Sequence, residues 1–246
     1  MTIKVAVVGA TGRMGKLALE LIDAVQDLEL HAAIDSKSNI ADVIGADVIF
    51  EVTRLEASER IVDFAIEHRI PVLVGTSGWS AAKLEALDAK LASDSPAVAV
   101  VPNFSVGSML ASAFAAHAAK FFDSIEIIEA HHAGKIDSPS GTAVRTAELI
   151  AKSREGKTQP LIPGVGQEAR GSVVAGIPIH SLRLHGVSAK QEVLLGGDDE
   201  LLSVSHEVTS VRAYAKGILL GLRVVASANG LLIGLDQVMA AGESLV

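Results

Sequence analysis

No cysteine occurs among the 246 residues. That excludes disulfides, thiolate nucleophiles and cysteine-ligated zinc, and it fits a reducing compartment such as the cytoplasm. No uncharged apolar run reaches about 18 residues, so no helical membrane span is expected. The opening Met1-Thr2-Ile3-Lys4-Val5-Ala6-Val7-Val8 reads as a strand, too short and too soon followed by glycine for a signal peptide. An excess of positive charge is missing too: the net charge is −8, which disfavours nucleic acid or an anionic membrane as partner. An anionic ligand must therefore find locally placed cations and backbone amides. Internal repeats and low-complexity segments are also absent. What remains, 49% hydrophobic and 20% charged, is globular and large enough for one large domain or two modest ones.

The first hundred residues alternate strand-like and helix-like runs. Strands are expected over 3–8, 28–34, 47–52, 71–75 and 97–101, with helices near 14–25, 58–68 and 81–91. This β-α-β series predicts a doubly wound, Rossmann-type parallel sheet. The pattern then changes. One long Ala-rich helix is expected over 106–122, a strand over 124–131, a helix over 142–153 and a loop over 156–176. Segments 178–184, 191–195 and 201–206 read as antiparallel strands. A second, α+β domain with a mixed or antiparallel sheet is expected over 106–211. The tail 212–246, with a helix near 213–226, returns to the first domain, 1–105.

Gly9-Ala10-Thr11-Gly12-Arg13-Met14-Gly15 fits the pattern G-x-x-G-x-x-G, follows a strand and opens a helix. Gly9 allows the tight turn, Gly12 the close approach of a pyrophosphate, and Gly15 helix–sheet packing. Asp35, about twenty residues on at the end of the second strand, is placed to bind ribose hydroxyls. A glycine turn without ligand explains the first feature but not the second. Gly75-Thr76-Ser77-Gly78 and Val101-Pro102-Asn103-Phe104 follow the fourth and fifth strands, where ligand crevices lie; ordinary turn chemistry explains either loop equally well.

Between Glu129 and Thr142 the chain collects His131, His132, Lys135, Asp137 and the turn Ser138-Pro139-Ser140-Gly141-Thr142. Three readings compete. Metal binding by His131, His132 and Asp137 is awkward, because adjacent residues of an extended segment point to opposite sides and a lysine beside a cation is unfavourable. Exposed strand-edge histidines are the bland alternative, and it is the reading given to His31, His68, His117, His180 and His185. The third is acid catalysis with anion recognition: an imidazole titrating near neutrality, the fixed charge of Lys135, and the amides of Gly141 and Thr142 at a helix start. The density of proton donors beside a helix start favours the third.

Glu129 to Ala143 matches E-x-H-H-x-x-K-x-D-x-P-S-G-T-A at every fixed position, and so resembles the 4-hydroxy-tetrahydrodipicolinate (dihydrodipicolinate) reductases of lysine and diaminopimelate biosynthesis. The resemblance spans the chain: Gly9 to Gly15 is similar to the family's cofactor loop, Gly75-Thr76-Ser77-Gly78 to its G-T-T-G loop, and Pro102-Asn103-Phe104-Ser105-Val106-Gly107 to its P-N-F-S-x-G hinge. The resemblance implies His131 as proton donor and Lys135 as a second acid that also holds substrate charge. It implies His132, Ser140, Gly141 and Thr142 as carboxylate contacts. It implies Gly9, Ala10, Thr11, Gly12, Arg13, Met14, Asp35, Gly75, Thr76, Ser77, Val101, Pro102, Asn103 and Phe104 as cofactor contacts, a hinge that closes over a small dicarboxylate substrate, and a homotetramer joined through C-terminal sheets. Departures are Glu51-Val52-Thr53 for D-F-T, Leu55 for the following proline, Ser77 for threonine and Ser138 for alanine.

Two rivals remain at this level: another Rossmann-type dehydrogenase, which needs no Pro-Ser-Gly-Thr turn beside paired histidines, and a dinucleotide-sensing module, which leaves those histidines idle. Cofactor choice is pulled two ways. Asp35 suits NADH and repels the 2′-phosphate of NADPH, whereas Arg13 and Lys37 offset that repulsion. Use of both, with a modest preference for NADH, is expected.

Overall fold

The computed structural model describes residues 2–92, 94–160 and 167–243. The chain forms two compact units, one of Met1–Val106 with Val211–Val246 and one of Gly107–Ser210.

The first unit opens with β1 (Ile3–Val8), α1 (Arg13–Asp23), β2 (Leu28–Ile34), β3 (Val48–Glu51), α2 (Leu55–Glu67), β4 (Val72–Val74), α3 (Ala81–Asp88) and β5 (Val98–Val100). β3, β4 and β5 are buried throughout, which is why they read as unbroken apolar runs rather than alternations. α1 buries Leu17, Ala18, Leu21 and Ile22, a three-to-four spacing that makes one apolar face. Gly15 brings that face down on the sheet. A Cβ there would lie 2.7 Å from the Ala10 Cα and collide with the Gly9 carbonyl oxygen.

The second unit holds α4 (Val106–Ala118), β6 (Ser124–His132), α5 (Gly141–Ser153), β7 (Ser172–Val174), β8 (Ile177–Leu184), β9 (Ala189–Gly197) and β10 (Glu200–Val208). Its sheet runs β10-β9-β6-β8-β7. Ile125, Ile127, Ile177, Ile179, Val193 and Leu195 point to one face, where Ala115, Ala119, Ala143, Ala147 and Ile150 cover them. Strand residues alternate between faces. The same face therefore continues, beyond the apolar core, into Glu129 and His131 of β6 and Ser181 and Arg183 of β8. Those four are cross-strand neighbours in register, Glu129 with Ser181 and His131 with Arg183.

The chain then adds α6 (Ala215–Val225), β11 (Leu231–Ile233) and α7 (Leu235–Glu243) to the first unit. β11 pairs with β5 in parallel. The completed sheet is six-stranded, in the order β11-β5-β4-β3-β1-β2, with all pairings parallel. α6 lies close on it through Gly221, where a Cβ would stand 2.7 Å from Leu73 Cδ2.

Several sequence expectations are corrected. β8 pairs in parallel with β6, not as part of an antiparallel run. The connection between them contains α5, the crossover that parallel neighbours require. Part of the expected loop 156–176 is the edge strand β7, joined to β8 by a two-residue turn at Ala175 and Gly176, both with positive φ; residues 161–166 of that loop lie outside the described residues. The helix expected to reach residue 122 ends at Ala118. There the amides of Lys120 and Phe121 bond three residues back, tightening the last turn. The buried guanidinium of Arg154 takes up the carbonyls of Ala119, Phe122 and Asp123. β11 and α7 were not expected at all.

Candidate active site

Glu129 is the deepest residue of the candidate site, with a fully buried side chain. Its Oε2 lies 2.6 Å from His131 Nδ1. Arg183 forks onto both carboxylate oxygens, Nη1 to Oε2 and Nη2 to Oε1, each at 3.0 Å. The Ser140 amide donates to Oε1 at 3.2 Å. Burial pushes the Glu129 carboxyl up, but hydrogen bonds from Arg183, Ser181 and His131 together outweigh it and hold the group below its ordinary value. Glu129 is thus an anion whose oxygens are filled by donors. It fixes the imidazole with Nδ1 protonated and Nε2 as the ring nitrogen left to exchange a proton.

For His131 the balance runs the other way. Burial lowers its pKa from 6.5, and Lys135 and Arg183 add to that, while Glu129 opposes them. The free imidazole is therefore predominantly neutral at pH 7. Lys135 Nζ reaches both Asp137 oxygens at 2.7 Å, and this bond holds the Asp137 carboxyl below its usual value. Asp137 is largely exposed, so the pair is weak, about 0–1 kcal/mol.

Ser140 caps α5, its Oγ accepting from the Ala143 amide at 3.3 Å. With its amide on Glu129 as well, Ser140 is buried inside the site rather than at its surface. Of the next two residues Thr142 is half-buried, whereas Gly141 is exposed and a Cβ there would meet nothing within 4 Å. The first-turn amides of a helix have no intrahelical partner and favour anions. Behind them Thr146 Oγ1 donates to the Thr142 carbonyl at 2.9 Å and receives Gln191 Nε2 at 3.0 Å, fixing the turn from within. His132, on the opposite side of β6 from His131, is exposed.

In the first unit the strand order reverses between β1 and β3, and ligand crevices form outside such points. Gly9 leaves β1 there with φ +94°, 2.9 Å being all the room a Cβ would have from the Val52 carbonyl carbon. α1 starts at Arg13 with Gly12 as its N-cap and no side chain on its first amides. A Cβ on Gly12 would meet only the Gly9 oxygen, so the side facing away from the fold is open. Thr11 and Arg13 are exposed, Met14 half-buried, and Ala10 buried, so Ala10 offers backbone only. Asp35 follows β2. Its Oδ1 accepts the Lys37 amide at 2.8 Å and the Ser38 hydroxyl at 3.0 Å, and the Lys37 amide above all keeps the carboxyl below its ordinary value. An open glycine turn, uncapped amides and a fixed carboxylate fit the phosphates and ribose of a dinucleotide.

Of the two further loops, Ser77 and Pro102 are exposed, Gly75 and Asn103 half-buried. Thr76, Val101 and Phe104 are buried, and Phe104 packs edge-on against Phe50, with ring centres 5.6 Å apart. The Thr76 hydroxyl is committed to Glu51 Oε1 at 2.9 Å.

The family model described as "Dihydrodipicolinate reductase, N-terminus" matches residues 3–104, and "Dihydrodipicolinate reductase, C-terminus" matches 107–239. The chain belongs to the dihydrodipicolinate reductase family. The 4-hydroxy-tetrahydrodipicolinate reductase of Clavibacter sepedonicus is 49% identical over 240 residues, 97% of this chain and 87% of that protein. The Streptomyces griseus reductase is 42% identical over 244 residues, 96% of this chain and 97% of that one. Among solved structures, the dipicolinate-bound dihydrodipicolinate reductase of Paenisporosarcina sp. TG-14 superposes with a TM-score of 0.80 at 30% identity, covering 96% of this chain and 99% of that one. Membership makes this chain an enzyme with 4-hydroxy-tetrahydrodipicolinate reductase activity, a step of lysine biosynthesis, and implies a nicotinamide cofactor.

Seen within this family, the Glu51 departure has a structural account. Glu51 is fully buried and accepts the Thr53 amide at 2.7 Å, the Thr53 hydroxyl, the Thr76 hydroxyl and, at 2.5 Å, the Ser58 hydroxyl. It ties the turn after β3 to the turn after β4. Two further residues, Arg183 and Ser181, escaped the sequence reading. Their signal was there: in β8 the inward positions Ile177 and Ile179 continue to Ser181 and Arg183, and an inward-facing arginine demands a buried partner.

Proposed function

We propose that His131 delivers the proton of this reduction through Nε2, with Lys135 and the first turn of α5 holding the substrate's carboxylates. The observation that carries the reading is the His131 Nδ1 contact, 2.6 Å from an ionised, fully buried Glu129. A bound reduced nicotinamide supplies the hydride. Gly9, Gly12, Arg13, Met14 and Asp35 would hold it, with Thr11, Ala10, Gly75, Thr76, Ser77, Val101, Pro102, Asn103 and Phe104 lining its contacts, several through backbone alone.

The neutral state of His131 at pH 7 fits this role once the substrate is counted. A dicarboxylate of the dipicolinate type brings two negative charges to Lys135, Gly141 and Thr142, with His132 beyond them at the end of β6. Those charges favour the imidazolium. His131 thus takes up its proton with the substrate and spends it on the ring as negative charge develops there. Ser140 contributes by fixing Glu129 and the start of α5.

Both NADH and NADPH are proposed to serve, with NADH modestly preferred. Asp35 opposes a 2′-phosphate, and the exposed Arg13 and nearby Lys37 offset it in part. The sheet face of the second unit turned away from α4 and α5 exposes Leu182, Leu184, Val173 and Leu201. Such an apolar face supports self-association through this sheet, as in a homotetramer. Among the described residues no helix is long and apolar enough to cross a membrane, and a biosynthetic reduction fed by the cellular nicotinamide pool belongs in the cytoplasm.

The test is His131→Gln, followed by loss of nicotinamide absorbance with freshly made substrate. kcat should fall about 10²–10⁴-fold with cofactor affinity retained. In the unaltered enzyme kcat/KM, which reports free enzyme, should decline with rising pH earlier than kcat, which reports the complex. An unchanged kcat in the variant would remove His131 from the reaction.

A further inference from the structure

The guanidinium of Arg183 has five N–H donors, and the structure commits every one. Nη1 bonds Glu129 Oε2 at 3.0 Å and the Leu182 carbonyl at 2.7 Å. Nη2 bonds Glu129 Oε1 at 3.0 Å and the Asp137 carbonyl at 2.6 Å. Nε bonds the Lys135 carbonyl at 3.2 Å. Two of these bonds clamp the carboxylate that orients His131. Two others hold the backbone of the loop that carries Lys135, on either side of Ile136. That loop makes no strand or helix of its own, and its Lys135 amide donates to the His132 carbonyl at 3.0 Å.

We propose that Arg183 is a positioning residue that sets the two proton-handling side chains, His131 and Lys135, in register with each other, through Glu129 on one side and the 135–137 backbone on the other. The proposal rests on the reading of His131 as donor for its catalytic consequence, but the clamp itself does not. A planar fork is required for the work. It meets a carboxylate with two parallel bonds and still presents edges to carbonyls, which the point charge of an ammonium cannot do. Arg183 also sets the electrostatic balance at the imidazole. The charged groups facing His131 are Glu129 on its own strand, Arg183 on β8, and Lys135 with its partner Asp137 on the loop; β9 presents only Ala189 opposite it. Removing Arg183 takes a cation away from His131 and leaves the Glu129 anion shared only with the Ser140 amide and Ser181. Both changes favour the imidazolium.

The experiment compares Arg183→Met and Arg183→Lys in the full-length enzyme, using the NMR titration of His131 in the free protein (assigned with His131→Gln) together with pH profiles of kcat and kcat/KM. In Arg183→Met the titration of His131 should move to higher pH, and the alkaline limb of kcat/KM should move with it. kcat should fall about 10-fold or more, because the Lys135 loop loses its register. Arg183→Lys keeps the charge, so the titration should stay near that of the unaltered enzyme while kcat still falls. An unmoved His131 titration in Arg183→Met overturns the proposal. So does normal kcat in Arg183→Lys, which also decides the matter should the methionine variant not fold. Failure of the donor reading looks different: His131→Gln would keep its kcat while the NMR shift in Arg183→Met persisted.

Discussion

Replacing Glu129 with Gln removes one charge and almost no volume, and the consequences can be worked through bond by bond. The carboxylate accepts two bonds from Arg183 and one each from His131, Ser181 and the Ser140 amide. An amide keeps one accepting oxygen and places an NH₂ where the other stood. One arm of the Arg183 fork then faces a donor. Removing one partner of a buried ion pair costs about 3–5 kcal/mol. The lower end applies here, because one acceptor survives and Arg183 retains three backbone carbonyls. For a unit of this size about 3 kcal/mol lowers the melting temperature by roughly 10–20 °C. Catalysis suffers separately. A hydrogen bond to a charged group is worth about 1.5–3 kcal/mol, so kcat/KM should drop roughly 10- to 150-fold in protein that is still folded. The sign of the pH effect follows from the causes at His131. Glu129 raises its pKa against burial, Lys135 and Arg183. Without that charge the imidazole is protonated only at still lower pH, and the alkaline limb of kcat/KM moves to lower pH. The assays are a thermal melt and a pH series of nicotinamide oxidation well below the melting temperature. A variant that melts early but keeps kcat/KM within about twofold, with its limb in place, would refute the orienting role and leave Glu129 as structure alone.

Lys135→Ala should lower kcat as well as raise KM, because in the proposed function its charge faces the reacting ring. Thr142→Val should act mainly on KM, through a contact shared by ground and transition states; steady-state kinetics at several substrate concentrations separate the two, and a normal KM in Thr142→Val counts against the carboxylate site. Arg13→Ala should widen the preference for NADH over NADPH, and added salt should weaken NADPH binding more, since the charges concerned are exposed and screened. Direct binding titrations check this, and strict NADPH dependence would reject it. Leu182→Asp, on the open sheet face, should shift the assembly toward smaller species in light scattering without changing the circular dichroism of the chain; an unaltered mass would place the association surface elsewhere.

The glycine turn was legible because its function and its fold demand the same residues in the same order. β6 was legible because Ser124 to Ile127 alternate polar and apolar and three isoleucines fall within four residues. The candidate residues of the 129–142 segment could be named from sequence for a related reason: one strand end, one turn and one helix start supply them all. Arg183 could not be, because it comes from β8, 54 residues beyond Glu129, and only the parallel pairing of β8 with β6 brings it alongside. Strand neighbours separated by a helix are a tertiary fact that no local window contains. β7 and β11 are no shorter than β4 and β5, but they lie outside the regular strand–helix alternation that marked those two, and the β7 turn places Ala175 at positive φ instead of the Asn-Gly that announces such a hairpin. At Glu51 the departure from the family pattern was visible, but its four neutral donors come from three separate segments.

β11 carries a consequence for how the chain is made. Val98–Val100 is complete long before its partner: the whole segment Gly107–Ser210 must be synthesised before Leu231–Ile233 exists. During that interval the fifth strand of the first unit is an open, wholly apolar edge, the kind of surface that pairs with other chains. A ribosome adding about 5–20 residues each second needs several seconds to reach the missing strand. Chains truncated after residue 210, or stalled there, carry that edge permanently. Such fragments would aggregate through β5, and a free peptide spanning β11 and α7, added in trans, should suppress it.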